Sequence, residues 1–523
     1  MVSEVSLKSN TIHKLNQYFS RNWKRIIMYV LVVLIPVVIT FSLLQLTIGS
    51  SLSHSHPFWT DEVDYWMQIN SYKEHGFDSG NFTVNELTSN SSRSHYGTHG
   101  PFFPMFMGLL ARIFGWFDYS APYYNLAFLC LALIIFIWLT KPDIKQSFLV
   151  IFVISFFYFI HFYIPTTMQE TLNFAISIVY AGLLIRLVVF KDHHLLIYIS
   201  LILLVFFASL LRVIWVLAIF PVFYFLFTKQ GTSIRKVLAS IMASIAFSLL
   251  SSYIYIKFTS PFPIGNFYHL VNNYQGLSQA LLFLKGNILG NLAKLFAPYG
   301  LLAKTDIFVR YSYLAILLVF CVQIKRQPKL SLSTLFIMLS TLLLTIVVYD
   351  VGNFRILAAY LLIGMLMLVF GDNQVFTKNV ITIYVLFGLI VRSQFITDYK
   401  NLLQARFYVE GESEYTNFKK DLENVVHFEN ANSWCNTLLT SRVYSPELRY
   451  IPAGIGTSIL LDREENNFAI DFADTDIKGQ GIQSHYLLVS EEFLERYGLT
   501  SKCQIIGEYE NDVLCVRIDD NCP

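Results

Sequence analysis

Three carboxylates, Asp61, Glu62 and Asp64, stand within four positions in the stretch FWTDEVDYW, residues 58–66. They follow closely on a long apolar run, Ile26 to Ile48. A carboxylate held in a crevice can take the proton from a hydroxyl nucleophile. Arg212 in SLLRVIWVLAIFP (209–221) and Arg355 in YDVGNFRILAAY (349–360) each sit at the edge of an apolar segment. A guanidinium can hold phosphate through two parallel hydrogen bonds and keeps its charge at every relevant pH. Glu170 lies in IPTTMQETLN (164–173), between two further apolar segments. Tyr65, His95, His99 and Asp350 complete the polar set. Ionisable side chains at membrane depth are costly and tend to mark a site. A base plus arginine clamps is suited to moving a group from a phosphorylated donor onto a hydroxyl. Nucleotide-activated donors are made in the cytosol, so an outward-facing site would favour a lipid-linked donor.

Apolar elements must position these residues. The chain is 54% hydrophobic and 14% charged, with a mean hydropathy of +0.51, against about 25% charged residues in an average soluble domain. An integral, multi-pass membrane protein follows. Hydropathy predicts about eleven spans, at 26–48, 121–140, 147–164, 171–190, 195–209, 212–228, 237–257, 306–324, 331–349, 355–371 and 379–396. The first reads as an anchor and not a cleaved leader, because it is too long for a leader's apolar core. Short basic loops at 141–145, 191–194, 229–236 and 325–329 then share one side with residues 1–25, which makes that side cytoplasmic. The outer loops 49–120 and 260–305, and every residue of the polar set, fall on the opposite face. The stretch 99–116 is apolar but too short to span, and is predicted to lie along the outer interface; 277–295 reads similarly.

The charge is divided. From Asp398 onward 11 Lys/Arg stand against 22 Asp/Glu, a net −11, and the rest of the chain carries +13. The basic residues are scattered over loops without a patch, so no nucleic-acid partner is expected. The expected organisation is a cytoplasmic N-terminus (1–25), a membrane domain (26–397) and an outer α/β domain (398–523). In that tail QIIGEYENDVLCVRI (504–518) reads as a hairpin and SEEFLERYG (490–498) as a short helix. Cys435, Cys503, Cys515 and Cys522 also lie there, and four cysteines allow three pairings.

An Asp-Glu pair just after the first span with a Tyr shortly beyond (Asp61, Glu62, Tyr65), and His99-Gly100-Pro101 ahead of an interfacial helix, are similar to motifs of the GT-C glycosyltransferases. The segment Arg212 to Pro221, and Arg355 with Tyr360, resemble that family's Arg-to-Pro stretch and its late Arg/Tyr span. The branch resembled holds the protein O-mannosyltransferases and the aminoarabinose transferases of lipid A. Gly100 stands where the family often shows a second Pro. The resemblance covers residues 26–396 and implies inverting transfer of a sugar from a polyprenyl-phosphate donor. It implies Asp61 as general base with Glu62 beside it and Arg212 or Arg355 on the lipid phosphate; Tyr65 and His99 belong to the same motifs, and Glu170, read from its place between apolar segments, joins them as an expected substrate contact. The acceptor would be a protein, a lipid or a cell-wall glycan. No cofactor is expected. His54 and His56 with Glu62 or Glu170 could hold a divalent metal, but their spacing is not diagnostic. Two other classes fit the composition: an envelope ligase or polymerase acting on pyrophosphate-linked glycans, and a transporter or flippase. The latter favours charges at mid-membrane and repeated halves, neither of which the sequence shows. If residues 61–65 are helical, Asp61, Asp64 and Tyr65 share a face, and Glu62 turns about 100° away from Asp61.

Overall fold

The computed structural model describes residues 2–55, 57, 62, 65–66, 68–69, 72–73, 76, 102–117, 119–258, 276–296, 303–348, 355–406, 437–440, 469–472, 486–509 and 512–518. Helix α1 (Val2–Thr47) contains the first span but begins well before residue 26. Hydropathy marks where a helix enters the membrane, not where the helix starts. The predicted interfacial segment is α2 (Phe102–Phe114). There follow α3 (Ser120–Thr140), α4 (Ile144–Phe156), α5 (Tyr158–Tyr163), α6 (Glu170–Val188), α7 (Leu195–Leu211), a 3-10 segment Val213–Ala218, α8 (Ile219–Thr228) and α9 (Ile234–Phe258). The second interfacial segment is α10 (Leu277–Phe296), followed by α11 (Ala303–Gln323), α12 (Pro328–Val348), α13 (Arg355–Val369) and α14 (Gln374–Arg406). Most described residues of every predicted span are therefore helical. Among the described residues, seven stretches are by themselves long and apolar enough to cross a bilayer: Trp23–Thr47, Ser120–Thr140, Glu170–Val188, Ile234–Tyr255, Asp306–Gln323, Pro328–Val347 and Gln374–Gln404.

Helices α6 and α13 form the centre. Every residue of α13 from Leu357 to Val369 is buried, and α6 is buried along almost its whole length. A helix that is apolar all round belongs inside a bundle. On one side α6 packs along α3, and on the other along α13.

Three expected boundaries differ from the structure, each for a local reason. The span expected at 147–164 breaks at Phe157, between α4 and α5. The break exposes backbone carbonyls that must be satisfied inside the membrane. Tyr384 of α14 donates its hydroxyl to the Phe156 carbonyl at 2.9 Å, and Tyr158 donates to the Gly388 carbonyl at 2.6 Å. Gly388 permits this approach, since a Cβ there would lie 2.8 Å from the Phe156 ring. The span expected at 212–228 opens with extended backbone at Arg212 and one stretch of 3-10 helix before α8. Pro221, in the first turn of α8, needs no helical hydrogen-bond donor there. Finally, α14 carries through Asp398 to Arg406, so the charge break at Asp398 falls inside a helix. Charge onset marks the edge of the apolar phase, not the end of the helix.

The basic loops gather at one end. Arg25 donates to the carbonyls of Lys141 and Pro142, and the Tyr29 hydroxyl reaches Pro142 at 3.0 Å. The Lys229 ammonium donates to the His193 carbonyl at 3.0 Å. Burial and the nearby ammoniums of Lys229 and Lys329 push the His193 imidazole below its ordinary range. Arg186, in the last turn of α6, pairs with Asp192 at 2.7 Å. Glu170 opens the same helix about 24 Å away.

The tail forms a five-stranded sheet of β1 (Thr437–Thr440), β2 (Ala469–Phe472), β3 (Tyr486–Val489), β4 (Cys503–Tyr509) and β5 (Asp512–Arg517), in the order β2-β1-β3-β5-β4. β1 runs parallel to β2 and β3, whereas β5 runs antiparallel to β3 and β4. The predicted hairpin is β4–β5 and the predicted helix is α15 (Glu491–Arg496), capped by Ser490, which accepts from the Phe493 N–H. Cys503 stands opposite Arg517 and Cys515 opposite Ile505. The two cysteines are thus diagonal neighbours on one face, with their thiols in hydrogen-bond contact; that contact and then burial raise the Cys515 thiol. Treatment with a disulfide oxidant is expected to link Cys503 to Cys515. Peptide mapping without reductant checks it, and a map that joins Cys515 to another cysteine contradicts the register.

Candidate active site

The site is built on the turn that precedes α6. Asn125 of α3 donates its amide to the carbonyls of Ile164 and Thr166, at 3.0 and 2.7 Å. The Thr166 hydroxyl donates to the Tyr163 carbonyl and accepts from the Met168 N–H. The Thr167 N–H donates to Glu62 Oε1 at 2.7 Å. Every residue from 157 to 178 is buried, so these bonds replace water that the turn cannot reach.

Glu170 starts the helix directly after this turn and is 1% exposed. Its Oε1 accepts from Arg212 Nη2 at 2.5 Å and lies 3.3 Å from Arg355 Nε. Arg212 comes from the end of α7 and Arg355 from the start of α13. Three segments far apart in the chain therefore meet on one oxygen. Arg355 also donates to the Tyr163 hydroxyl. Neutral contacts fix the same three elements below the charges. Trp215 Nε1 donates to Asn173 Oδ1 at 2.9 Å, and the Tyr180 hydroxyl donates to the Ala218 carbonyl at 2.7 Å. The Trp215 and Tyr360 rings lie 5.0 Å apart.

Helices α2 and α10, the two segments expected at the interface, lie at this end. Phe102 and Phe106 of α2 meet Phe207, near the end of α7, with centroids 4.3 and 5.4 Å apart. Asn287 and Asn291 of α10 donate to the last carbonyls of α12, Val347 and Ile346, at 2.8 and 2.9 Å. These are acceptors that a helix end leaves unpaired. Arg310 of α11 is 1% exposed, paired with Asp306 and bonded to the Lys294 carbonyl, which ties α10 to α11.

The segment that carries the acidic cluster folds against α2. Glu62, Tyr65, Trp66, Ile69 and Tyr72 are all buried, the spacing of one helix face. Glu62 therefore points into the protein, where its bond to Thr167 ties this segment to a position three residues before Glu170. Tyr65 meets Phe103 edge-on at 5.0 Å, and Arg112 donates to the Lys73 carbonyl at 2.7 Å. Asp61, Asp64, His95, His99 and Asp350 lie outside the described residues. Among the described residues no three His, Cys, Asp or Glu side chains gather as a metal site. Glu170 itself faces two guanidiniums, which would repel a cation.

Of the predicted site residues, Glu170, Arg212 and Arg355 are brought together, with Glu62 and Tyr65 on the adjoining segment. Sequence reading missed Tyr163 and Asn173. Asn173 carried a signal, since a polar amide inside an apolar segment, one turn from Glu170, marks a buried contact.

No protein-family model and no curated protein sequence matches the chain. Solved structures do. The chain is similar to ArnT from Cupriavidus metallidurans, solved bound to undecaprenyl phosphate, with a TM-score of 0.50 and 10% identity over 93% of this chain and 98% of that one. It is also similar to the apo oligosaccharyltransferase of Archaeoglobus fulgidus, with a TM-score of 0.52 and 10% identity over 91% of this chain and 70% of that one. The chain shares its fold with these two proteins.

The Glu62–Thr167 bond yields a stability prediction. Glu62→Ala strands a buried N–H, a loss of about 1–3 kcal/mol, and is expected to lower the thermal unfolding midpoint in detergent. An unchanged midpoint would mean that the bond contributes nothing to holding the loop.

Proposed function

We propose that the chain is a membrane glycosyltransferase that moves a sugar, with inversion, from a polyprenyl-phosphate donor to an acceptor hydroxyl. The observation that carries this reading is the convergence of Arg212 and Arg355 on buried Glu170 at the end where α2 and α10 lie. Two fixed cations at the edge of an apolar bundle suit a phosphate whose polyprenyl chain stays in lipid. The fold shared with ArnT, solved with undecaprenyl phosphate, supports the same donor class.

In this mechanism Asp61 takes the proton of the acceptor hydroxyl. The hydroxyl oxygen attacks the anomeric carbon from the face opposite the phosphate. The bond from that carbon to the phosphate oxygen breaks, and polyprenyl phosphate leaves with the electron pair. No covalent sugar–enzyme intermediate forms. Arg212 and Arg355 hold the phosphate while its charge grows, which is electrostatic stabilisation by preorganised donors. Glu62 anchors the segment beside Asp61, through Thr167. The basic loops gather at the end opposite Glu170, which supports an extracytoplasmic site under the positive-inside rule. The acceptor is a protein, a lipid or a cell-wall glycan reached from that side.

The test uses protein in nanodiscs with a panel of polyprenyl-phosphate sugars and an envelope extract as acceptor, following release of polyprenyl phosphate. Release with at least one sugar is expected, and its loss in Asp61→Asn assigns the base. Arg212→Gln and Arg355→Gln are each expected to slow release roughly 100- to 1000-fold. Absence of release with every donor would overturn the reading in favour of a ligase or a transporter.

A further inference from the structure

We infer that Glu170 sets the charge of the phosphate clamp so that it fits the donor and lets the product go. This inference rests on the function proposed above and gives Glu170 a positioning role within it.

Among the described residues two guanidiniums and one carboxylate meet here, for a net charge of +1. Glu170 is 1% exposed, so water screens it little, whereas Arg212 and Arg355 keep 15% and 20% of their side-chain exposure. Glu170 gives both arginines the same oxygen, Oε1. Its Oε2 is buried and accepts no hydrogen bond among the described residues. Here Oε1 accepts a hydrogen bond from Arg212 and forms an ion pair with Arg355 Nε, and the carboxylate's delocalised charge faces both guanidiniums.

The reaction changes the anion that the clamp holds. The donor is a phosphodiester with one negative charge. When the bond from the anomeric carbon to the phosphate oxygen breaks, the electron pair stays on phosphate and the acceptor proton goes to Asp61. The product is a monoester, whose second ionisation lies near pH 6, so at neutral pH it carries nearly two charges. A bare pair of arginines would match the dianion and retain the product, and release limits many turnover rates. Adding the buried carboxylate matches the clamp to the monoanion and makes it a poorer match for the dianion. The same carboxylate holds both guanidiniums near their working position before the lipid arrives.

The test compares the binding of farnesyl phosphate, a monoester, with that of farnesyl methyl phosphate, a diester, in nanodiscs. Binding is read from intrinsic tryptophan fluorescence, since Trp215 adjoins the site. Glu170→Gln keeps the shape and removes the charge. It is expected to bind the monoester about tenfold tighter than wild type at pH 8, a change of about 1.4 kcal/mol, and the diester much less so. The excess gain should vanish as pH falls below about 6, where the monoester takes up its second proton. Glu170→Asp keeps the charge and should retain the wild-type preference. If Glu170→Gln does not fold, Arg212→Gln serves, because a clamp of net charge 0 should lose the monoester more than the diester at pH 8. Equal or weaker monoester binding in Glu170→Gln, with diester binding retained, would make Glu170 a scaffold and overturn the inference. If wild type binds neither ester, the phosphate-clamp reading fails, and this inference fails with it.

Discussion

A carboxylate that is 1% exposed, inside a bundle of apolar helices, is the constraint around which the membrane domain is arranged. An ionised group in that position is tolerable only when paired, and removing a partner of a buried pair typically costs about 3–5 kcal/mol. Glu170 meets this condition with two guanidiniums drawn from different helix ends. The start of α6, the end of α7 and the start of α13 must therefore coincide. These ends fix the register of the three helices, and the apolar lengths of α6 and α13 then pack as the centre of the bundle.

Neutral hydrogen bonds make that junction rigid. The backbone is irregular at residues 164–169 and again at 212–218, where a membrane interior tolerates irregularity only if each polar group finds a partner. Asn125, Asn173, Trp215, Tyr180 and Glu62 supply those partners. The irregular segments carry the charged side chains, and the regular helices hold them in place. This division matches the general pattern of functional groups mounted on loops fixed by a scaffold.

Similarity at 10% identity to ArnT and to an archaeal oligosaccharyltransferase is a statement about fold. Chemistry has to be argued from the site. Two guanidiniums converge on one buried carboxylate at the opposite end of α6 from the basic loops. Arg25 with Lys141, and Lys229 with His193, define that other end.

Much was legible in the sequence by itself. Apolar runs long enough to cross a bilayer fixed the helical class, and short basic loops assigned the ends of the bundle, because both depend only on local composition. The hairpin at β4–β5 and the helix capped by Ser490 were equally local. Arg212, Arg355 and Glu170 stood out because charge at membrane depth is rare. What the sequence left open was which of these charges meet, since contact across 42 or more residues depends on how helices pack. The turn of Glu62 into the protein was likewise hidden, because the face of a short helix that is buried is chosen by its partner α2. Tertiary structure decided that Glu170 faces arginines, that Phe157 interrupts a span, and that Cys503 adjoins Cys515. In each case the deciding force is a polar group's need for a partner supplied from a distant part of the chain.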